Sequence, residues 1–566
     1  MDILRINLNS QKSIREPLKG EDLILGGRAL TSKIMASEIP PMCDPLGDEN
    51  KLIIANGPLA AAGVSSAGRL SIGGKSPLTG GSKEANAGGS AADSLAKLGL
   101  RALVLEGKAK KGESYIIVLN EEGCFFHDAS PYKGLGNFAL AEKLYEKYGK
   151  DQSLILIGPA GEQGLYAAGI AVSDMFGRPS RLAARGGLGA VMGTKGVKAI
   201  VITKKGSYRY PNLKSEAFIA ARKKFNDLVA NSDRVQVLKK YGTASTIAPV
   251  QKLGALPTNN FSVGQFEQAD KISGEALYDL IKERGGEGRH TEPCMAGCLV
   301  QCSNVVPDAN GKELVAPLEY ESLVLLGSNL GLGEIDEIGK LNWLCNDLGI
   351  DSIEIGGSLG VAAEGGQAKF GCFEDFESIL KQMYEGTLLG RLVGMGAGIC
   401  GKVLGVIRIP TVKNQTMSAY DPRGVKGTGI TYATTPMGAD HTAGLTVFFP
   451  VDHHAKEGQI GISKKAQIQR AGYDCMGLCA FLTSATGQTP ELITDMVNAL
   501  YGTNITPEDW DDLALQTINT EISFNRAAGL GKETDRIPEF FAKELLAPFN
   551  LKWDVSDDEL DSIFIQ

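Results

Sequence analysis

Three cysteines within nine residues, Cys294, Cys298 and Cys302 of PCMAGCLVQCSN, restrict how this chain can fold more than any other feature. On a straight α-helix rising 1.5 Å per residue the outer pair would stand about 12 Å apart, a stripe and not one compact set. To gather the sulfurs the segment has to bend, and Pro293 and Gly297 make a loop the expected conformation. A cubane iron–sulfur cluster takes four thiolates, so a remote cysteine must close the set. Cys479 is the first candidate and Cys475 its rival. Clustered cysteines also bind zinc, and buried free thiols are a third reading. A disulfide framework is not expected, because ten cysteines are too few and too unevenly placed in 566 residues.

A chain of this length exceeds one ordinary core, so two to four domains are expected. Glycine, 71 of 566 residues against a usual ~7%, signals abundant tight turns and close backbone approaches. With 58 basic and 66 acidic residues, a net charge of −8 and no long basic run, nucleic acid is excluded as the main partner. A small metabolite and an electron-transfer protein fit better. The stretch 388–409 is interrupted by Arg391, Lys402 and Arg408, so no membrane span is expected. The opening MDILRINLNSQK lacks the apolar core of a signal peptide, which makes a cytoplasmic protein the default expectation.

Up to about residue 205, the runs KLIIANGPL, RALVLEGKA, SYIIVLN, SLILIGPAG and KAIVIT alternate with Gly and Pro turns, interrupted by helical patterns such as NFALAEKLYEKYG. Beyond that, apolar residues recur at helical spacing in SEAFIAARKKFNDLVAN, EALYDLIKERGG, ESLVLLGSNLG, EIGKLNWLCNDLG and FESILKQMYEG. The expectation is an α+β fold: a β-rich N-terminal domain over 1–207 and two mainly helical domains over 208–410 and 411–566. The boundary near 410 falls at the proline-bearing IRIPTVKNQ.

Two glycine loops imitate nucleotide sites. GRLSIGGKS ends in Gly74-Lys75-Ser76, but Arg69 stands where a P-loop has its first glycine. RGGLGAVMG is preceded by GRPSRLAAR, which is no apolar strand, so a dinucleotide fingerprint is not met. A tight loop opening a helix still presents N–H groups to phosphates, and Arg69 and Arg185 add guanidinium charge.

Read in order, GRLSIGGKSPLTGGSKEANAGG, RGGLGAVMGTKGVKAIVI, CNDLGIDS, AYDPRGVKGTGITYATTPMGADHTAG and YDCMGLC, together with the cysteine triplet, resemble the aldehyde:ferredoxin oxidoreductase family over nearly the whole chain. The resemblance implies a bis-pterin cofactor at the domain interface holding tungsten or molybdenum through dithiolene sulfurs, a 4Fe-4S cluster, and a magnesium bridging the pterin phosphates. It implies that backbone carbonyls of Asn86 and Gly186 hold the magnesium, and that Arg69 stands between one pterin and the cluster. Arg185, Gly186, Gly187 and Leu188 form the phosphate-side loop. Asn346, Gly349, Ile350 and Asp351 of NDLGID resemble one pterin motif, D-x-x-G-L-D; Asp474, Gly477 and Leu478 of DCMGLC resemble the other, ending in Cys479 as fourth cluster ligand. Two departures stand out. The commonest family spacing is C-x2-C-x3-C, one residue shorter in the first gap, and Asn346 replaces an aspartate, keeping a carbonyl acceptor but losing a charge.

By the same resemblance, His441 of GADHTAG is the active-site histidine and Glu319 of PLEYES the glutamate near the metal, with Glu321 two residues on. Tyr432 is a hydrogen-bond donor or ordinary core. His453 and His454 read as exposed loop residues, and His127 and His290 have no supporting context. The implied activity is oxidation of an aldehyde to a carboxylic acid, with electrons leaving to ferredoxin or an iron–sulfur partner subunit. A homodimer or hetero-oligomer is compatible. A low-potential reductase acting on an aromatic thioester, and a cofactor-free or zinc-stabilised structural protein, are the alternatives.

Overall fold

In the computed structural model, which describes residues 1–564, the β-rich segment forms two six-stranded sheets. The first runs Lys12–Pro17, Asp2–Asn7, Leu100–Glu106, Leu52–Asn56, Leu70–Lys75, Ser82–Ala87; the second runs Arg181–Ala183, Ile170–Val172, Gln152–Leu156, Val197–Thr203, Tyr115–Asn120, Gly123–Asp128. Each sheet has one parallel pairing, Asp2–Asn7 with Leu100–Glu106 and Val197–Thr203 with Tyr115–Asn120. The central strands are buried on both faces, which is why their sequences are mostly apolar, with Arg101 and Lys198 as buried exceptions. Ile54, Leu70 and Leu103 of one sheet share a core with Ile117, Ile155 and Ile200 of the other.

The helical expectation holds after residue 207. Glu216–Asn231 begins where the Ser215 hydroxyl accepts the Phe218 N–H, and it buries Phe218, Phe225 and Val229 at helical spacing. Helices also cover Gly274–Arg284, Ile335–Leu348 and Phe373–Glu385, as the periodicity predicts. One apolar core runs through both sides of residue 410, joining Leu323, Ile355 and Phe376 to Ile430, Tyr432 and Trp553. The α+β class is thus met, with one addition that periodicity did not announce. A small antiparallel sheet of Arg289–Glu292, Ser303–Pro307 and Glu313–Val315 interrupts the helices, and the cysteine triplet hangs between its first two strands. Among the described residues no helix is long and apolar enough to cross a membrane.

Two helix ends position the site. Ile335–Leu348 stops at Gly349, whose φ of +71° is left-handed, and Asp351 then caps Ser352–Glu364 by accepting the Ile353 N–H. NDLGID is therefore a corner between two helices, with glycine and aspartate where a stop and a restart require them. DCMGLC closes Gln459–Cys475 in the same way: Gly477 turns at φ +65° against the backbone of Gly57.

Candidate functional site

Residues 293–302 form an irregular loop bent at Gly297 (φ +68°) and Gln301 (φ +47°). Cys294, Cys298 and Cys302 are buried in it, and Cys479 joins them from the second corner, where its N–H donates to the Ser66 carbonyl at 2.9 Å. All four pack in one apolar cluster with Met295, Met476 and Leu478. The Ser66 hydroxyl and the Gln301 N–H each donate to Cys298 Sγ at 3.4 Å. Sharing a proton with Cys294 lowers the Cys298 thiol to about 5, while Cys294 is pushed up by the same contact and Cys302 and Cys479 by burial. Cys475 faces away, its Sγ 3.6 Å from the Thr517 hydroxyl. Among the described residues no three His, Cys, Asp or Glu side chains converge as ligands of one ion. Four buried thiols, three from residues 294–302 and one from Cys479, match in number the thiolates that a 4Fe-4S cluster takes.

Next to the thiols lies a cavity of about 310 Å³, lined among others by Arg69, Asn86, Arg185, Glu319, Asn346, Ile350, Asp351, His441, Asp474 and Leu478. Arg69 links the two compartments. A methyl placed on Gly88 would meet Cys294 Sγ at 3.3 Å and Arg69 Nη1 at 3.4 Å, so both side chains close tightly on this glycine. Gly186, Gly187, Gly349 and Gly477 form turns behind the wall, and Leu188 opens a buried helix, Leu188–Thr194, as the loop reading expects. The Asn86 carbonyl accepts from Arg69 Nη2 at 3.1 Å and the Gly186 carbonyl from the Ser76 hydroxyl at 2.6 Å; each keeps a second lone pair.

Arg185 is not a free cation. Its guanidinium donates to Asp351 (3.1 Å), the Ser418 hydroxyl (3.1 Å) and the carbonyls of Ala439 (2.6 Å) and Thr416. Arg181 and Arg470, which the motif reading passed over, are different. Arg181 Nε and Nη2, Arg470 Nε and Nη1, Asn346 Nδ2 and the Ser180 hydroxyl are buried on the cavity wall without hydrogen-bond partners among the described residues. An unsatisfied buried polar group costs about 1–3 kcal/mol, so this wall is built for a polar, anionic occupant. Close by, the buried Glu84 and half-buried Asp474 carboxyls are raised by desolvation, Asp474 to about 8, although Arg28 bridges Asp474 (3.6 Å) to Glu521 (2.7 Å). A neutral acid both donates and accepts, which suits a heterocycle edge.

At the far end His441 lies in a 3-10 turn capped by Asp440, which accepts the Thr442 N–H. His441 Nδ1 meets the Ser418 hydroxyl at 2.7 Å and Nε2 lies 3.3 Å from Glu321 Oε1. Burial lowers His441 to about 3 and raises Glu321 to about 8, so at neutral pH this is an imidazole beside a carboxylic acid and not an ion pair. Glu319, the glutamate favoured from the motif, also lines the cavity but is turned to the Thr243 hydroxyl at 2.5 Å and toward Cys302. Tyr432 is fully buried in the helix Lys426–Thr434, as the packing reading expects. His453 corrects the exposed-loop expectation: it is 6% exposed because its backbone carbonyl is drawn onto the Lys426 N–H. His454 is half-buried against Phe549, with Nε2 2.9 Å from the Leu253 carbonyl.

Comparison with known proteins places matches along the chain. The family description "Aldehyde ferredoxin oxidoreductase, N-terminal domain" matches residues 3–204, and "Aldehyde ferredoxin oxidoreductase, domains 2 & 3" matches 220–562. The tungsten-containing aldehyde ferredoxin oxidoreductase of Pyrococcus furiosus is 32% identical over 96% of this chain and 91% of its own length. From the same organism, the WOR-like subunit of an aliphatic sulfonate oxidoreductase is 26% identical over 92% of this chain and 85% of its own. Among solved structures, the active-site complex of benzoyl coenzyme A reductase with 1,5-dienoyl-CoA shares the fold with a TM-score of 0.77 at 18% identity, covering 95% of this chain and 90% of that one.

Proposed function

This chain belongs to the aldehyde ferredoxin oxidoreductase family, and from that premise we propose that it oxidises an aldehyde to the carboxylic acid and passes the electrons to ferredoxin or an iron–sulfur partner subunit. The cofactors proposed are a tungsten or molybdenum bis-pterin in the cavity and a 4Fe-4S cluster on Cys294, Cys298, Cys302 and Cys479. One observation carries the reading: a four-thiol pocket and a cavity walled by unpartnered guanidinium and amide donors meet at Arg69.

Asn346–Asp351 and Asp474–Leu478 would hold the two pterins, Arg181 and Arg470 their anionic groups, and the Asn86 and Gly186 carbonyls a magnesium between the phosphates. Overall, an aldehyde and one water become an acid, two protons and two electrons; the bound metal–pterin supplies the two-electron acceptor and the cluster the one-electron exit. Glu321, protonated at neutral pH, donates a hydrogen bond to the carbonyl oxygen and makes the carbon more electrophilic. Ser418 orients His441, and the Ala419 N–H holds that carboxyl through Oε2 at 2.8 Å, leaving Oε1 unpaired among the described residues and 3.3 Å from His441 Nε2.

Anaerobic purification followed by elemental mass spectrometry tests the reading, with tungsten or molybdenum and about four irons per chain expected. Protein holding zinc alone, or no metal, overturns it. Viologen reduction by aldehydes is expected from the loaded enzyme; loaded enzyme that reduces an aromatic thioester but oxidises no aldehyde would establish the reductase alternative.

A further inference from the structure

Arg234 sits in the first turn of the helix Asp233–Tyr241, where a cation opposes the helix dipole. It is half-buried, yet among the described residues it donates no hydrogen bond and forms no ion pair; its one specific contact is with the Phe448 ring, 4.6 Å from the guanidinium carbon. Arg178, by contrast, reaches three carboxylates. Burial lowers the Arg234 pKa, and no acid offsets that cost; the neighbour it senses is the Tyr420 hydroxyl. Tyr420 is buried, with its ring 5.8 Å from His441 and 5.2 Å from Tyr320. Phe448, 49% exposed, lies seven residues beyond His441, in a segment whose Thr442 both lines the cavity and is exposed. The cavity therefore opens to solvent at Thr442, and Arg234 stands one side chain further out, reaching the His441 end through Tyr420, with its N–H donors unpaired among the described residues.

Resting on the aldehyde-oxidation reading, we propose that Arg234 binds an anionic group of the substrate, so that the preferred aldehydes carry a carboxylate at the end remote from the carbonyl. A half-buried guanidinium without an acid is an incomplete pair, and a bidentate carboxylate completes it while Phe448 covers the plane behind. Arg234 is thus a specificity residue, distinct from the His441–Glu321 end that faces the carbonyl.

The test uses metal-loaded enzyme and two aldehydes of equal chain length, one ending in a methyl and one in a carboxylate. The wild type is expected to favour the carboxylate-bearing aldehyde in kcat/KM. In Arg234→Met that preference should fall roughly 10- to 100-fold, chiefly through KM, and Arg234→Lys should restore part of it. Calorimetry adds a readout without turnover: succinate should bind the wild type more tightly than butyrate, and Arg234→Met should erase the difference. No preference in the wild type, equal loss of both aldehydes in Arg234→Met, or equal binding of succinate and butyrate overturns the proposal and leaves aldehyde oxidation standing. Turnover of neither aldehyde by loaded enzyme overturns the underlying reading instead.

Discussion

At the thiol end of the cavity, four cysteines hang on a loop and a helix corner that offer them few hydrogen bonds, whereas at the imidazole end His441 sits beside buried charges drawn from four stretches of the chain. There Lys83 reaches Asp440 at 2.7 Å, and Arg185 reaches Asp351 at 3.1 Å and Asp440 at 3.8 Å. Burial alone would raise Asp440, but Lys83 and Arg185 hold it far below the usual carboxylate range. The charges at the imidazole end are paired within the protein, whereas on the proposed reading the thiols complete their bonding only with a bound cluster. Damage to one end should therefore read out differently from damage to the other.

The largest effect is expected from Cys479→Ser. Altering groups behind metal ligands commonly costs 10–100-fold, so removing a ligand should cost more than about 100-fold in viologen-coupled turnover, with loss of the visible absorbance and the iron. Full iron retention would break the assignment of the fourth thiolate. At the other end Glu321→Ala, which removes the donor, is expected to lower kcat by about 10²- to 10⁴-fold with iron content unchanged, and Glu319→Gln by no more than about tenfold. Steady-state kinetics on both variants settles which glutamate acts; a larger loss in Glu319→Gln would restore the preference that the motif suggested.

How much of this was legible before folding differs along the same line. Helices such as Glu216–Asn231 and Ile335–Leu348 and strands such as Val197–Thr203 announce themselves because one period or one apolar run decides them locally. The bend in the cysteine loop was legible too, since three thiols cannot gather on a straight helix. The sheet that carries this loop was not, because strands as short as Arg289–Glu292 and Glu313–Val315 hold too few residues to show alternation. At the imidazole end, spacing could not choose between Glu319 and Glu321. Two residues apart at a helix start, they diverge only because the Thr243 hydroxyl donates to Glu319 while the Ala419 N–H donates to Glu321. Arg181 and Arg470 were invisible for a related reason: being unpartnered is a property of the assembled wall, not of any stretch of sequence.

Stability sharpens the contrast. Asp440→Asn keeps the cap on Thr442 but leaves Lys83 and Arg185 short of a buried negative charge, and breaking such a pair costs about 3–5 kcal/mol. Denaturant unfolding of protein prepared without metal should register that loss. Cys479→Ser, tested the same way, should change stability little, because no occupant is present to lose. Equal destabilisation by both would mean that the thiol end is as preorganised as the imidazole end.

The smallest effect is titration. Burial lifts Glu321 to about 8, so its protonated, hydrogen-bond-donating form prevails below that pH and is lost as pH rises through it. His441, lowered to about 3, stays neutral throughout and adds no competing limb near neutrality. The kcat/KM for a neutral aldehyde is therefore expected to fall by about tenfold per pH unit above roughly pH 8, with iron content constant from about pH 7 to about pH 9. Glu321→Gln, whose amide donates at every pH, should flatten that limb while lowering the plateau. A limb that survives in Glu321→Gln would assign the proton to another group, and a limb that tracks loss of iron would move its origin to the thiol end.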